Sequence, residues 1–450
     1  MTAPANRFPS PFVLLVACIL LAAALTWILP AGRYERRSDP VTGRDVVVPG
    51  TFARVERQPV GAFGAVVAIP KGIAAAADVI ALVFLVGGAF AVIEQTGALR
   101  RGVDALAAAA QGREALVIPI TSVAFAAGGA TQNMGEEIIA LVPVLLLLSR
   151  GLGFDALTAA AMSIGAAIVG ASFSPVNPFQ VLIAQKVAQL PPGSGWPFRI
   201  AVLLLALALW IWGTWRHASR NRQLPEAHGL PAPDPALTRR LDVVLLLTLA
   251  ALVMVPIGLQ RLGWGFDELS AMFLIVGVAA GLVAGMGASG TASAFAEGFR
   301  AMAGAALLIG FAKAISVVLE QGIVLDTIVQ GLVAPLDQLP RTASAIGMMG
   351  VHVAVHVPVP SVSSQAVLTM PILVPLSDLL GISRQVTVLA YQYGAGLCEM
   401  ITPTNGALMA VLAAAGVPFN RWIRFAVPLF LLLFLLGAAA VATAIAIGLD

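Results

Sequence analysis

Polar positions in this chain come in short bursts between long apolar runs. Runs of about 20 apolar residues, the length a helix needs to cross a bilayer, recur from one end to the other. Nine read as full spans, near 11–30, 74–96, 155–188, 199–215, 241–259, 269–287, 303–321, 385–416 and 425–447. The runs are continuous rather than alternating, which excludes a membrane β-barrel. Two regions depart from the pattern. Glu114–Ala127 is apolar but short, "GGATQNMGEE" follows it, and a second short run, Ile138–Leu148, comes next. Residues 342–380 repeat the arrangement around "VPVPSVSSQ". Arms of about 14 residues or fewer do not reach across a bilayer. Each region therefore reads as a re-entrant hairpin that returns to its own side, with paired spans as the alternative.

Two of the full spans carry a polar interruption. "SPVNP" at 174–178 sits inside one and "TPTNG" at 402–406 inside another. Ser174, Pro175 and Asn177 match Thr402, Pro403 and Asn405, each 228 positions later, and Pro143, Ser149 and Gly153 match Pro371, Ser377 and Gly381 at the same offset. "VIEQTG" at 92–97 resembles "VLEQG" at 318–322, 226 positions on. Five full spans lie between Glu94 and Glu320. Five is odd, so the two halves face opposite ways, and the span near 241–259 reads as the one that inverts the second half. Inverted repeats with interrupted helices at matching positions point to a secondary transporter. A break at mid-depth exposes helix N-termini, which favour anions, and unwound carbonyls, which coordinate cations. Proline stops the ladder, while Ser, Thr and Asn supply neutral oxygens.

Composition agrees. The chain has 450 residues, 59% hydrophobic and 11% charged, against about 25% charged in soluble domains. This is the composition of an all-α polytopic membrane protein. The net charge of +3 includes no basic block, so nucleic acid is not an expected partner. Cys18 and Cys398 lie in apolar segments and form neither a disulfide framework nor a metal pair. Phe12–Leu29 is longer than the apolar region of a signal peptide, about 7–15 residues, and reads as a retained first span. Residues 31–70 form a polar loop with turns and a short strand at Val46–Val48, and 216–240 is a proline-rich linker. The excess of Lys and Arg in alternate loops places the N-terminus inside. Arg7, Arg100, Arg101, Arg113, Arg150, Arg216 and Arg220 are then cytoplasmic, while Lys71, Lys186, Arg199, Arg261, Arg341 and Arg384 face the other side.

The segments "GGATQNMGEEIIALVPVLLLLSRGLGFDAL", "SFSPVNPF", "SSQAVLTMPILVPLSDLLGISR", "AYQYGAGLCEMITPTNG" and "VPFNRWIRF" resemble the YfcC family. That family belongs to the group of C4-dicarboxylate anaerobic carriers and arginine/ornithine-antiporter-like proteins. The resemblance covers most of the chain from about residue 70. It implies the elevator-type fold of the ion-transporter superfamily in a bacterial cytoplasmic (inner) membrane. A scaffold would dimerise, and two hairpins with two broken helices would move. On that pattern scaffold spans fall at 1–113, 191–215, 241–340 and 417–450, and transport segments at 114–190 and 341–416. The second tip, "HVPVPSVSSQ", is richer in proline than the serine-rich tips of the family.

The two tips and two breaks supply the candidate site. Asn133, Ser174, Ser363, Thr402 and Thr404 are the expected solute contacts, with Glu136 and Glu399 as ionisable partners at membrane depth. Asn177 and Asn405 are the expected cation ligands, since amide oxygens suit a hard cation such as sodium. Glu136 and Glu137 also open a helix, where acids are favoured by the dipole. His352 and His356 share a helical face without a carboxylate at ligand spacing, so they read as packed rings, with proton coupling as the alternative. Lys313 lies within a span and either neutralises a carboxylate or snorkels. No catalytic constellation or nucleotide-binding loop is present, which excludes an enzyme and an ATP-driven pump. Neutral oxygens together with glutamates fit an amino acid or peptide-like zwitterion. A dicarboxylate is the alternative solute, and a channel the alternative class.

Overall fold

The computed structural model describes residues 11–39, 44–99, 101–102, 114–223, 235–262 and 264–450. Arg7, Arg100, Arg113 and the middle of the 216–240 linker lie outside the described residues. Eight helices among the described residues are long and apolar enough to cross a membrane. Strands are confined to the polar loop, where Gly32–Arg33 pairs with Ala53–Arg54 and Arg36–Asp39 with Arg44–Val47.

The first packing group joins α1 (Pro11–Ile28), α2 (Ala62–Ala75), α3 (Ala77–Thr96), α9 (Pro235–Arg261), α10 (Phe266–Val283) and α11 (Gly287–Gln321). Two of these differ from expectation. The loop assigned to 31–70 is helical from Ala62, with Pro70 inside the helix. The span expected at 303–321 is a single helix of 35 residues. Both helices use glycine to cross closely. A Cβ at Gly72 would sit 2.4 Å from the Gly310 carbonyl, and one at Gly298 would sit 2.6 Å from the Gly87 carbonyl. Gly72 and Gly298 lie 226 positions apart in sequence.

The hairpin regions form two helix–turn–helix units. The first is α4 (Val117–Gln132) and α5 (Glu136–Gly151), and the second is α13 (Arg341–His356) and α14 (Val362–Leu379). The arms of 16, 16, 16 and 18 residues are longer than the sequence implied. At about 1.5 Å per residue they cover about 24–27 Å, and Glu114–Gln132 and Val362–Leu379 are among the eight apolar helices long enough to cross a membrane. Asn133 closes the first tip in the left-handed region at φ 56°, which Asn tolerates better than most residues.

Two helices are interrupted. α6 (Ala156–Ser172) ends before residues 173–177, and the chain resumes as α7, π-helical at Pro178–Leu182 and α-helical at Ile183–Val187. α15 (Arg384–Cys398) ends before residues 399–405 and resumes as α16 (Gly406–Ala414). α8 (Trp196–Arg220) and α17 (Phe419–Ala446), expected among the scaffold spans, pack on these broken helices. Two buried indoles explain it. Trp210 donates to the Ala161 carbonyl at 2.9 Å, at the π turn within α6, and Trp422 donates to the Met400 carbonyl at 2.8 Å, in the second break. Arg199 is also reassigned. It is no loop cation: it is fully buried in α8 and donates to Gln385 at 2.9 Å and to Gln392.

Asp155, in the turn before α6, ties the same helices together. It caps α6 through Thr158 N–H at 2.9 Å, and meets His217 of α8 at 3.2 Å and Arg421 of α17 at 2.7 Å. Burial alone would raise its pKa, but hydrogen bonds from His217 and Thr158 outweigh burial and hold it at about 2 against an ordinary 3.8. A depressed carboxylate pKa stabilises the fold above the ordinary value and ceases to as pH falls through the folded one. Wild type is therefore expected to lose about 2 kcal/mol between about pH 4 and pH 2. Asp155→Asn, followed by thermal unfolding in detergent, is expected to be less stable at neutral pH and to lack that acid step.

Candidate functional site

Each break has the same local chemistry. At the first, Ser174 Oγ accepts the N–H groups of Val176 at 2.9 Å and Asn177 at 2.8 Å, and donates to the Ala130 carbonyl at 2.6 Å. At the second, Thr402 Oγ1 accepts the Thr404 N–H at 3.4 Å and pairs with Thr404 Oγ1 at 2.7 Å. Asn177 then caps the new helix, its Oδ1 accepting from Phe179 and Gln180 N–H, both at 2.9 Å. Asn405 Oδ1 does the same for Leu408 N–H at 3.1 Å. Their amide nitrogens donate to carbonyls left by other helix ends, Gly129 at 2.8 Å for Asn177 and Glu399 at 3.1 Å for Asn405. Backbone groups at membrane depth have no water to satisfy them, and these side chains take that place.

That chemistry involves three of the expected site residues. Ser174 and Asn177 are fully buried and Thr402 nearly so. In this structure their hydrogen bonds close helix ends. The Asn177 oxygen accepts two N–H groups. Among the described residues, no group of three or more His, Cys, Asp or Glu could hold a metal ion.

The tips and breaks do meet. A cavity of about 330 Å³ lies between the two packing groups. Of the expected site residues, Asn133, Glu136, Ser363, Glu399, Thr404 and Asn405 line it. Asn133 Oδ1 is held by Asn177 at 3.1 Å and Gln180 at 3.0 Å, so the first tip is locked to the first break. Glu137, next to Glu136, turns away: it accepts the Gly135 N–H at 3.0 Å and lies among Leu82, Leu252 and Phe273. The far wall comes from α3 and α11 and carries Asp78 and Lys313. Asp78 was missed in the sequence. The rule that makes an ionisable group within a span a candidate applies to it as it does to Lys313.

Four helix N-termini open on this cavity, those of α5, α7, α14 and α16. Each offers partial positive charge, and Lys313 adds a full one. Glu136, Glu399 and Asp78 place three carboxyl groups beside them.

Known proteins resemble the chain along nearly its full length. The model of the DcuC family, C4-dicarboxylate anaerobic carrier, matches residues 8–446. A putative basic amino acid antiporter of Escherichia coli, YfcC, is 31% identical, with 97% of each chain covered. A Haemophilus influenzae protein is 28% identical, with 96% of each covered. Among solved structures, the YdaH transporter of Alcanivorax borkumensis has a TM-score of 0.46 at 19% identity, covering 98% of this chain and 99% of its own. The Neisseria gonorrhoeae efflux pump MtrF has a TM-score of 0.40 at 16% identity, with 97% and 95% covered.

The cap geometry makes a prediction that separates structure from binding. Asn177→Ala and Asn405→Ala are each expected to cost about 1–2 kcal/mol in unfolding experiments. Ser363→Ala, at the cavity wall, is expected to leave stability within about 0.5 kcal/mol of wild type.

Proposed function

This chain belongs to the C4-dicarboxylate anaerobic carrier family and is a multi-pass membrane transporter; from that premise we propose that it is a secondary active carrier of an amino acid, preferentially one with a cationic side chain. The observation that carries the reading is the joint presence of four helix N-termini and three acids around one cavity. The solute carboxylate would lie at the N-termini of α14 and α16, near Ser363 and Thr404. Its ammonium or side-chain cation would lie toward Glu136, Glu399 and Asp78. A dicarboxylate would bring its second carboxylate against those acids, which would then have to keep their protons and could not answer a cationic group. The E. coli relative's description as a putative basic amino acid antiporter is consistent with this choice.

The proposed movement is of elevator type, in a homodimer in a bacterial inner membrane. The two halves would be inverted repeats, each with a re-entrant hairpin. The moving unit would include α8 and α17, because both pack on the broken helices. Exchange of solutes or coupling to an ion would drive it.

Uptake into proteoliposomes tests the solute. Radiolabelled L-arginine is expected to enter and to exchange, and succinate is not. Glu399→Gln is expected to weaken arginine affinity roughly 10- to 100-fold, the worth of about 1.5–3 kcal/mol for a lost charged hydrogen bond. Succinate uptake without arginine uptake would reverse the assignment. Uncoupled conductance would replace the carrier with a channel.

A further inference from the structure

Behind Glu399, away from the cavity, lies a closed chain of polar groups with no role so far. His352 and His356 on α13 are both fully buried, and Gln365 on α14 stands between them. Gln365 Nε2 donates to the His352 carbonyl at 2.9 Å and approaches His352 Nδ1 at 3.1 Å. A carbonyl can only accept, so the amide orientation is fixed. His352 Nδ1 must then be bare, with its proton on Nε2. Gln365 Oε1 can only accept, so at 2.9 Å it requires a proton on His356 Nδ1. His356 Nε2 is therefore a bare lone pair. It has no hydrogen-bond partner and lies 4.0 Å from Glu399 Oε1. The Glu399 side chain, 16% exposed, stands between this ring and the cavity.

We propose that Glu399 and His356 form a proton site, in which Gln365 locks the ring so that His356 receives the proton Glu399 gives up. The transfer balances by itself. The Glu399 O–H bond breaks, a His356 Nε2–H bond forms, and a neutral pair becomes a carboxylate–imidazolium pair. A side-chain movement of Glu399 or one bridging water closes the gap. When a cationic group enters, the freed carboxylate binds it and the proton moves inward. The carrier thereby links solute binding to a proton held one residue deeper. The solute half of this statement rests on the amino acid reading above.

The surroundings offer few competing charges. From α15, Tyr391 packs its ring on His352 at 5.1 Å, and Cys398 Sγ bonds the Val353 carbonyl at 3.4 Å. Tyr393 of α15 packs on Phe173, and Arg384 pairs with Asp378 of α14. Asp326 of α12 (Leu325–Val333) is held by Arg36, while Arg421 and Arg424 of α17 flank the Asp155 end. Glu136, Asp78 and Lys313 face Glu399 only across the cavity. The arrangement also belongs to one half of the molecule. Positions 228 residues before His352, His356 and Glu399 hold Ala124, Gly128 and Ala171.

Nitrogen NMR of protein labelled at histidine tests this directly, since the chain has 4 histidines and each can be assigned by a His→Gln variant. Wild type at neutral pH is expected to show neutral His356 protonated on Nδ1 and neutral His352 protonated on Nε2. Addition of L-arginine is expected to convert His356 to imidazolium, and Glu399→Gln to abolish that conversion. Opposite tautomers overturn the proposal without any variant. So does a His356 that stays neutral while arginine binding is evident from a thermal shift. If arginine does not bind, the solute reading fails and acid titration judges the proton site alone. His356 in Glu399→Gln is then expected to show at least about tenfold lower proton affinity than in wild type, and equal affinity overturns it.

Discussion

A polypeptide cannot leave its backbone unsatisfied inside a bilayer, and this fold breaks two helices there. Everything near the cavity follows from how those breaks are repaired. Asn177 and Asn405 each spend their oxygen on the N–H groups of the next helix and their nitrogen on a carbonyl from another helix end. Ser174 and Thr402 reclaim the amides in between. With the repair made by side chains, the helix N-termini line a shared space. The polar residues that make a site conceivable are thus mostly consumed in holding its shape.

Packing fixes where those ends meet. The first hairpin lies so close to α6 that a Cβ at Gly129 would fall 2.0 Å from the Ala167 carbonyl, and one at Gly170 2.0 Å from the Ala126 carbonyl. Trp210 and Trp422, ring centroids 6.4 Å apart, brace the two broken helices from behind. Asp155 joins α6, α8 and α17 at one end, and Arg199 joins α8 to α15 within the helix layer. The other face of the cavity belongs to α3 and α11, which cross through glycines. Helix ends from the tips and breaks thus meet α3 and α11 across a small polar cavity.

Much of this was legible in the chain. The 228-residue offset located both breaks, both tips and the caps, because proline and asparagine leave a clear mark in an apolar run. The same offset links Asp155 and Ser383, which cap α6 and α15. What was not legible depended on direction. Sequence cannot say which way an Asn oxygen points, so the capping bonds of Asn177 and the turn bonds of Ser174 were not legible. α2 was hidden by Pro70 and Lys71, which look like loop residues although the helix carries them. α8 and α17 look like any apolar span, and only the two indole hydrogen bonds reveal their partners. Asp78 and the His352–Gln365–His356 chain gain meaning only when distant segments come together.

The central claim is that two equivalent breaks, in halves of opposite orientation, bring helix ends to one cavity from opposite sides of the membrane. Arg150 and Asp378, 228 positions apart in sequence, close the two hairpins at equivalent exposed points. The direct measurement is labelling with a membrane-impermeant thiol reagent of Arg150→Cys and Asp378→Cys, each in a background lacking Cys18 and Cys398. The account predicts that Arg150→Cys labels only from the cytoplasm and Asp378→Cys only from outside. Labelling of both from the same side would contradict it.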